Sequence, residues 1–274
     1  MVNQRVVTAT AIVVVLLICL FAPMEWPFAV FVIGVLGAGS WEWSRLAGLS
    51  GMFPRISYVA FNFLLLLGAA FFYEELAQQV HKLSFFAFWF WLLLIPLIVR
   101  YPKTAGFFRK PLLTALAGTI ILLSSSTGLL WLHMQPEGQW LVLLLIGIVG
   151  VADTGAYYVG RRLGKHKLAA GVSPGKTFEG VYGGLIGNFC LGVVLSLGLQ
   201  LSVEQSFVLF ITIFATDLLS VVGDLVESAL KRSCGVKDSG NTLPGHGGVL
   251  DRIDGLLAAT PCFVLGTAFL QAVL

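Results

Sequence analysis

FITIFATDLLSVVGDLVES, residues 210 to 228, sets Asp217 and Asp224 inside an otherwise apolar run. In hydrocarbon a carboxylate is expensive unless it faces a polar cavity or a partner, so both acids are functional candidates. Continued to Lys231, the run places Asp217, Ser220, Asp224, Glu227 and Lys231 at intervals of 3, 4, 3 and 4 residues. That spacing puts all five on one helical stripe leading toward a membrane face. The stripe reads either as the wall of a site or as a polar seam cementing neighbouring helices.

The rest of the chain has the same character. Of 274 residues, 57% are hydrophobic and 11% charged, and mean hydropathy is +0.90, which excludes an ordinary soluble domain. Apolar runs recur at 6–23, 27–43, 57–73, 84–99, 112–132, 139–160, 181–201, 207–223 and 254–274. Each approaches the roughly 20 residues a helix needs to cross a bilayer. The expected fold is an all-α, polytopic integral membrane protein with about nine transmembrane helices. The first run, VVTATAIVVVLLICLFA, is longer than a signal-peptide core and lacks a clear small-residue cleavage site, so it is expected to be a span. Cys19, Cys190, Cys234 and Cys262 form no CxxC pair and read as packing residues, with no zinc site or disulfide framework.

Basic residues set the orientation. When alternate loops are grouped, only Lys82 of the 17 lysines and arginines falls on the side that also carries Glu74 and Glu75. The basic side is expected to be cytoplasmic. The net charge of +3 therefore conceals a strongly basic face, suited to anionic headgroups or nucleotide phosphates, although topogenesis alone accounts for most of these residues.

Within that face lies GVSPGKTFEG, residues 171 to 180, which resembles the end of a phosphate-binding loop. The spacing fails, since the position that requires glycine is Ala170, and the stretch joins two membrane spans instead of a buried strand and a helix. Lys176 is left as a solitary phosphate contact, a point charge on a loop. The first five spans hold almost no ionisable groups away from their ends. Residues 1–138 therefore read as a transmembrane scaffold, and 139–274 as the catalytic region with cytoplasmic loops 161–180 and 224–253, neither of which shows a strand-like pattern.

On the sixth run, Asp153, Tyr157 and Arg161 form an i, i+4, i+8 line, readable as part of a site or as an ion pair with an interfacial tyrosine. The second loop returns through LPGHGGVLDRIDGLL, where Asp251 and Asp254 stand one turn apart at a helix start. Helix capping explains one of them. With Asp224, on an otherwise basic face, they suggest a hard divalent cation such as Mg²⁺, which takes oxygen ligands and leaves room for water and phosphates. His246 lies among glycines that permit close backbone approach to a ligand.

SALKRSCGVKDSGNTLPGHGGVLDRID, residues 228 to 254, resembles the signature of the phosphatidate cytidylyltransferases, the CDP-diacylglycerol synthases: Ser-x-apolar-Lys-Arg, Lys-Asp, Pro-x-His-Gly-Gly and Asp-Arg-apolar-Asp. ADTGAYYVGRRLGK and SPGKTFEG upstream are similar to that family's other polar segments. The resemblance covers about residues 140 to 274 by motif and the rest by architecture. It implies transfer of a cytidylyl group from CTP to phosphatidate in phospholipid biosynthesis, giving CDP-diacylglycerol and pyrophosphate. Asp224 and Asp251 are implied as metal ligands, and Lys176, Lys231, Arg232, Lys237 and Arg252 as phosphate contacts. Ser173 and Ser228 are implied as further substrate contacts. Asp153, Asp238, His246 and Asp254 are implied, with Lys176 and Lys231, as catalytic groups shaping the site. The implied cofactor is Mg²⁺, with a second, monovalent cation such as K⁺ left open. Implied too are membrane-lipid partners, no nucleic acid, a homodimer, and a bacterial inner membrane with the site facing the cytoplasm. Two other readings compete: a secondary transporter of an anionic solute, and a CTP-dependent kinase or transferase acting on a lipid alcohol. The halves of the chain show no similarity to each other, and the ionisable residues gather at one face, which disfavours transport.

Overall fold

The computed structural model describes residues 2–71 and 73–273, with side chains for 6–69 and 79–270. The side chains of Arg5, Glu74 and Glu75 lie outside the described residues. Long helices answer to all the apolar runs: α1 Val2–Leu20, α2 Trp26–Leu46, α3 Met52–Phe71, α4 Tyr73–Val99, α6 Pro111–His133, α7 Gly138–Leu163, α8 Phe178–Gly198, α9 Val203–Ser233 and α10 Leu250–Val273. A single turn, α5 Ala105–Phe108, precedes α6, and a hairpin of β1 Lys167–Ala169 and β2 Ser173–Thr177 joins α7 to α8. Among the described residues seven helices, α3, α4 and α6 to α10, are long and apolar enough to cross a bilayer. The apolar part of α1 is shorter, Val6–Leu20, and α2 carries Glu42 and Arg45 in its last two turns. The protein is an integral membrane protein, and its described residues are all-α but for the hairpin.

The polar loops depart from expectation in two ways. The loop expected at 161–180 contains the antiparallel hairpin, with Lys167 opposite Thr177 and Ala169 opposite Ser173. Strands of three and five residues, one holding Pro174, are too short to show a period-2 pattern. The helix of the eighth run, expected to end at 223, continues to Ser233. Its stop is set by backbone chemistry: Gly235 takes φ +70°, and Val236 N–H returns to the Lys231 carbonyl at 3.0 Å. The first ten residues of the expected loop 224–253 are thus helical, and α10 begins at Leu250, ahead of the expected 254.

The chain packs as two compact units. One comprises residues up to Val80, Ala105–Val142 and Leu230–Asp254. In it α2 lies against α3 and α6, and Trp43 donates its indole N–H to the Thr114 carbonyl at 2.8 Å across bare Gly118. The other comprises His81–Thr104, Leu143–Ala229 and the residues from Gly255 onward. There α7 and α8 meet through Gly155, Gly183 and Gly184, where a Cβ on Gly155 would come within 2.5 Å of the Gly183 carbonyl. Small residues at a helix crossing let backbones approach closely, which is how membrane helices gain packing energy without a hydrophobic drive.

Candidate active site

The unit built on α7, α8 and α9 contains a lysine–carboxylate pair. Thr177 closes β2 in an extended conformation, and its Oγ1 caps α8 by accepting from Gly180 N–H at 3.1 Å. That turn presents Lys176, whose Nζ lies 2.6 Å from Asp224 Oδ2, with the two side chains 25% and 30% exposed. The other oxygen, Oδ1, accepts from Ser228 Oγ one turn along α9 at 3.1 Å. A carboxylate offers about four lone pairs, so Asp224 keeps acceptor capacity for a ligand. Asp153, exposed on α7, is within electrostatic reach of both Lys176 and Asp224. Four expected site residues, Asp153, Lys176, Asp224 and Ser228, are therefore brought together.

Neighbouring positions are not drawn in. Arg161 Nη1 donates to the Tyr157 hydroxyl at 2.8 Å, so the line on α7 ends in an arginine–tyrosine contact at an exposed face. Ser173 sits half-buried at the start of β2. Asp217 is buried, and its Oδ2 accepts from Asn188 Nδ2 at 2.7 Å while the same amide donates to the Ile148 carbonyl at 3.0 Å. That is a seam between α7, α8 and α9. In the same unit an apolar groove of about 640 Å³ is lined by Ile98, Leu168, Val172, Phe178, Tyr182 and Leu225. Phe178 and Leu225 are close chain neighbours of Lys176 and Asp224.

The other unit holds the signature loop and a second pair. Lys231 Nζ lies 2.6 Å from Asp251 Oδ1, and these side chains are only 11% and 7% exposed. Asp251 is otherwise occupied: Ser239 N–H reaches its oxygens at 3.1 and 3.0 Å, and Gly248 N–H reaches Oδ2 at 2.8 Å. The loop bends through Gly245 and Gly247 at φ +76° and +87°, where residues with a Cβ are strained. His246 is half-buried, and its carbonyl accepts from Arg252 Nη2 at 2.8 Å. Arg232, Lys237 and Asp238 are exposed, and Asp254 lies in the first turns of α10.

What the sequence reading passed over is on α2. Glu42 is 2% exposed and accepts from Ser239 Oγ, Thr242 Oγ1, Val249 N–H and Leu250 N–H at 2.5 to 2.9 Å. Arg45 donates to the carbonyls of Asp238 and Ser239, and Arg109 to that of Ser233. An acid within an apolar helix was the available signal; its place near the end of the span hid it.

Among the described residues no group of three or more His, Cys, Asp or Glu side chains is gathered for a metal. Asp224 has the spare acceptor capacity that a hard cation needs, whereas Asp251 would have to release one of its donors.

A profile of the cytidylyltransferase family matches residues 3–270. The chain is 40% identical over 263 residues to a phosphatidate cytidylyltransferase of Pseudomonas aeruginosa, covering 96% of each. With the one of Haemophilus influenzae it shares 38% over 282 residues, covering 96% of this chain and 97% of the other. The Bacillus subtilis relative of the same name aligns at 43% over 129 residues, 47% of this chain and 48% of that one.

Proposed function

The chain belongs to the cytidylyltransferase family, and on that premise we infer that it transfers the cytidylyl group of CTP to phosphatidate. The observation that carries this is the Lys176–Asp224 pair: a half-exposed cation and a carboxylate with spare lone pairs, chain neighbours of residues that line an apolar groove. One reactant is a phosphate-rich nucleotide and the other a phosphate on two acyl chains, so the chemistry needs both kinds of surface.

A phosphate oxygen of phosphatidate attacks the α-phosphorus of CTP; the bond from that phosphorus to the bridging oxygen breaks, and pyrophosphate leaves with the electron pair. No protein nucleophile is consumed, so catalysis is positioning and charge neutralisation. Lys176 exchanges its carboxylate partner for a substrate phosphate, and Lys231, Arg232, Lys237 and Arg252 supply further positive charge. Ser173 and Ser228 donate to substrate oxygens, Asp153, Asp238, His246 and Asp254 orient the polar groups around them, and the groove on α4, α8 and α9 takes apolar chain. We assign Asp224 and Asp251 as carboxylate ligands of Mg²⁺, which when bound neutralises phosphate charge and makes pyrophosphate a better leaving group. The basic loops face the cytoplasm, where CTP is.

The test is formation of lipid-bound label from CTP carrying a radioactive α-phosphate, with detergent-solubilised protein and phosphatidate. Label appears with phosphatidate, is abolished by a chelator and returns with Mg²⁺; replacing K⁺ in the buffer addresses the second cation. Labelling of a lipid alcohol instead of phosphatidate overturns the reading. For orientation, a cysteine placed at exposed Asn241 should resist an impermeant thiol reagent added to intact cells, judged against the same variant without its native cysteines.

A further inference from the structure

We propose that Glu42 of α2 is a positioning residue for the reaction: through Ser239 it holds Asp251, and with it Lys231, in the arrangement that receives substrate phosphates. This rests on the reading above that Asp251 and Lys231 belong to the site. Glu42 is the one acid of α2 beyond its N-terminus, and its burial is answered by four donors. Oε1 accepts from Thr242 Oγ1 at 2.5 Å and Val249 N–H at 2.9 Å; Oε2 accepts from Ser239 Oγ and Leu250 N–H, both at 2.9 Å. These contacts join α2 to the two ends of the segment 239–250, about 200 residues away in the chain.

The glycines of the segment record how closely the carboxylate is held. A Cβ on Gly240 would stand 2.5 Å from Glu42 Oε1, and one on Gly248 2.4 Å from Oε2. Ser239 is the link, because its hydroxyl donates to Glu42 while its backbone N–H donates to both oxygens of Asp251 at 3.1 and 3.0 Å. One turn further on, Arg45 Nη2 grips the carbonyls of Asp238 and Ser239 at 3.1 and 2.7 Å. The same peptide is thus clamped through a hydroxyl, its carbonyl and its N–H.

The chemistry requires a carboxylate. Each oxygen of Glu42 faces one backbone N–H, and a backbone donor cannot turn round to accept. A glutamine in either amide orientation points N–H at the N–H of Val249 or Leu250, leaving that peptide unpaired in a buried place. The negative charge also faces the N-terminal end of α10, whose first N–H it accepts, and a neutral amide serves that end less well. Glu42→Gln therefore loosens the start of α10 and the Ser239 peptide, and the effect reaches the reacting groups as a displacement of Asp251 and Lys231.

The experiment compares Glu42→Gln, Ser239→Ala, their double variant and Asp251→Asn in detergent, reading kcat, KM for CTP, KM for phosphatidate and thermal midpoint. Glu42→Gln is expected to lower kcat by at least about 10-fold, with KM for phosphatidate little changed, because misplacement of a charge is felt at the transition state. Ser239→Ala should lower kcat in the same sense, and the double variant should be no worse than Glu42→Gln alone, since both cut one chain of contacts. Wild-type kcat in folded Glu42→Gln alongside inactive Asp251→Asn would overturn the proposal and leave the site reading standing; an active Asp251→Asn would overturn the site reading itself. Loss of kcat only in proportion to lost folded protein makes Glu42 structural and also overturns the proposal. If Glu42→Gln does not fold, Ser239→Ala decides, and a normal kcat there refutes the link.

Discussion

Two lysine–carboxylate pairs in this protein have the same separation, 2.6 Å, and opposite surroundings. Lys176 and Asp224 are 25% and 30% exposed, and each oxygen of Asp224 has one partner. Lys231 and Asp251 are 11% and 7% exposed, and Asp251 is filled by backbone donors as well. Distance therefore says little about what an ion pair does. A partly exposed pair loses less when it opens, because water reaches it and replaces the partner, so it is able to exchange one anion for another. A buried pair costs several kcal/mol to break, so it holds structure in register and moves only if something of equal charge arrives.

Asp251→Asn tests this contrast most severely. It takes the charge of Asp251 away from buried Lys231, so turnover should fall by at least about 100-fold and stability by about 3 kcal/mol, measured as CDP-diacylglycerol formation and thermal midpoint. Unchanged stability would mean that the enclosed pair is no more structural than the open one. Next comes Asp224→Asn, which should cost a comparable factor in turnover and raise the Mg²⁺ concentration for half-activity, with stability altered by less than about 1 kcal/mol. A large drop in thermal midpoint there would erase the distinction from the other side. Lys176→Ala should reduce kcat/KM for CTP by about 10-fold with the fold intact, since one point charge on a loop is lost. The smallest effect belongs to Gly171→Ala: the new Cβ would approach the Tyr101 carbonyl at 3.2 Å, and a shift of a few tenths of an ångström accommodates it. Activity close to wild type is expected, with stability within about 0.5 kcal/mol. Loss of CTP use in that variant would restore the nucleotide-loop reading of GVSPGKT.

Lys176, Asp224 and Asp251 were legible as candidates because each breaks an apolar run or sits in a motif that composition does not explain. Their pairing was not. Asp224 and Asp251 are equally acidic letters in a basic segment, and nothing local distinguishes a carboxylate with free lone pairs from one already filled by Ser239 and Gly248. The hairpin escaped notice because strands of three and five residues are too short for a period. The end of α9 was misplaced because charged residues from Asp224 to Arg232 read as loop, whereas the helix continues past the apolar stretch until Gly235.

The membrane character of the chain and the succession of its apolar helices were determined by sequence alone, because transfer into hydrocarbon is a sum over residues and needs no knowledge of neighbours in space. The tertiary structure decided which charges meet and which residue organises them. Glu42 bonds to residues 197 to 208 positions away, a relation that no local pattern encodes, and its burial becomes tolerable only when the folded chain brings Ser239, Thr242, Val249 and Leu250 to its two oxygens.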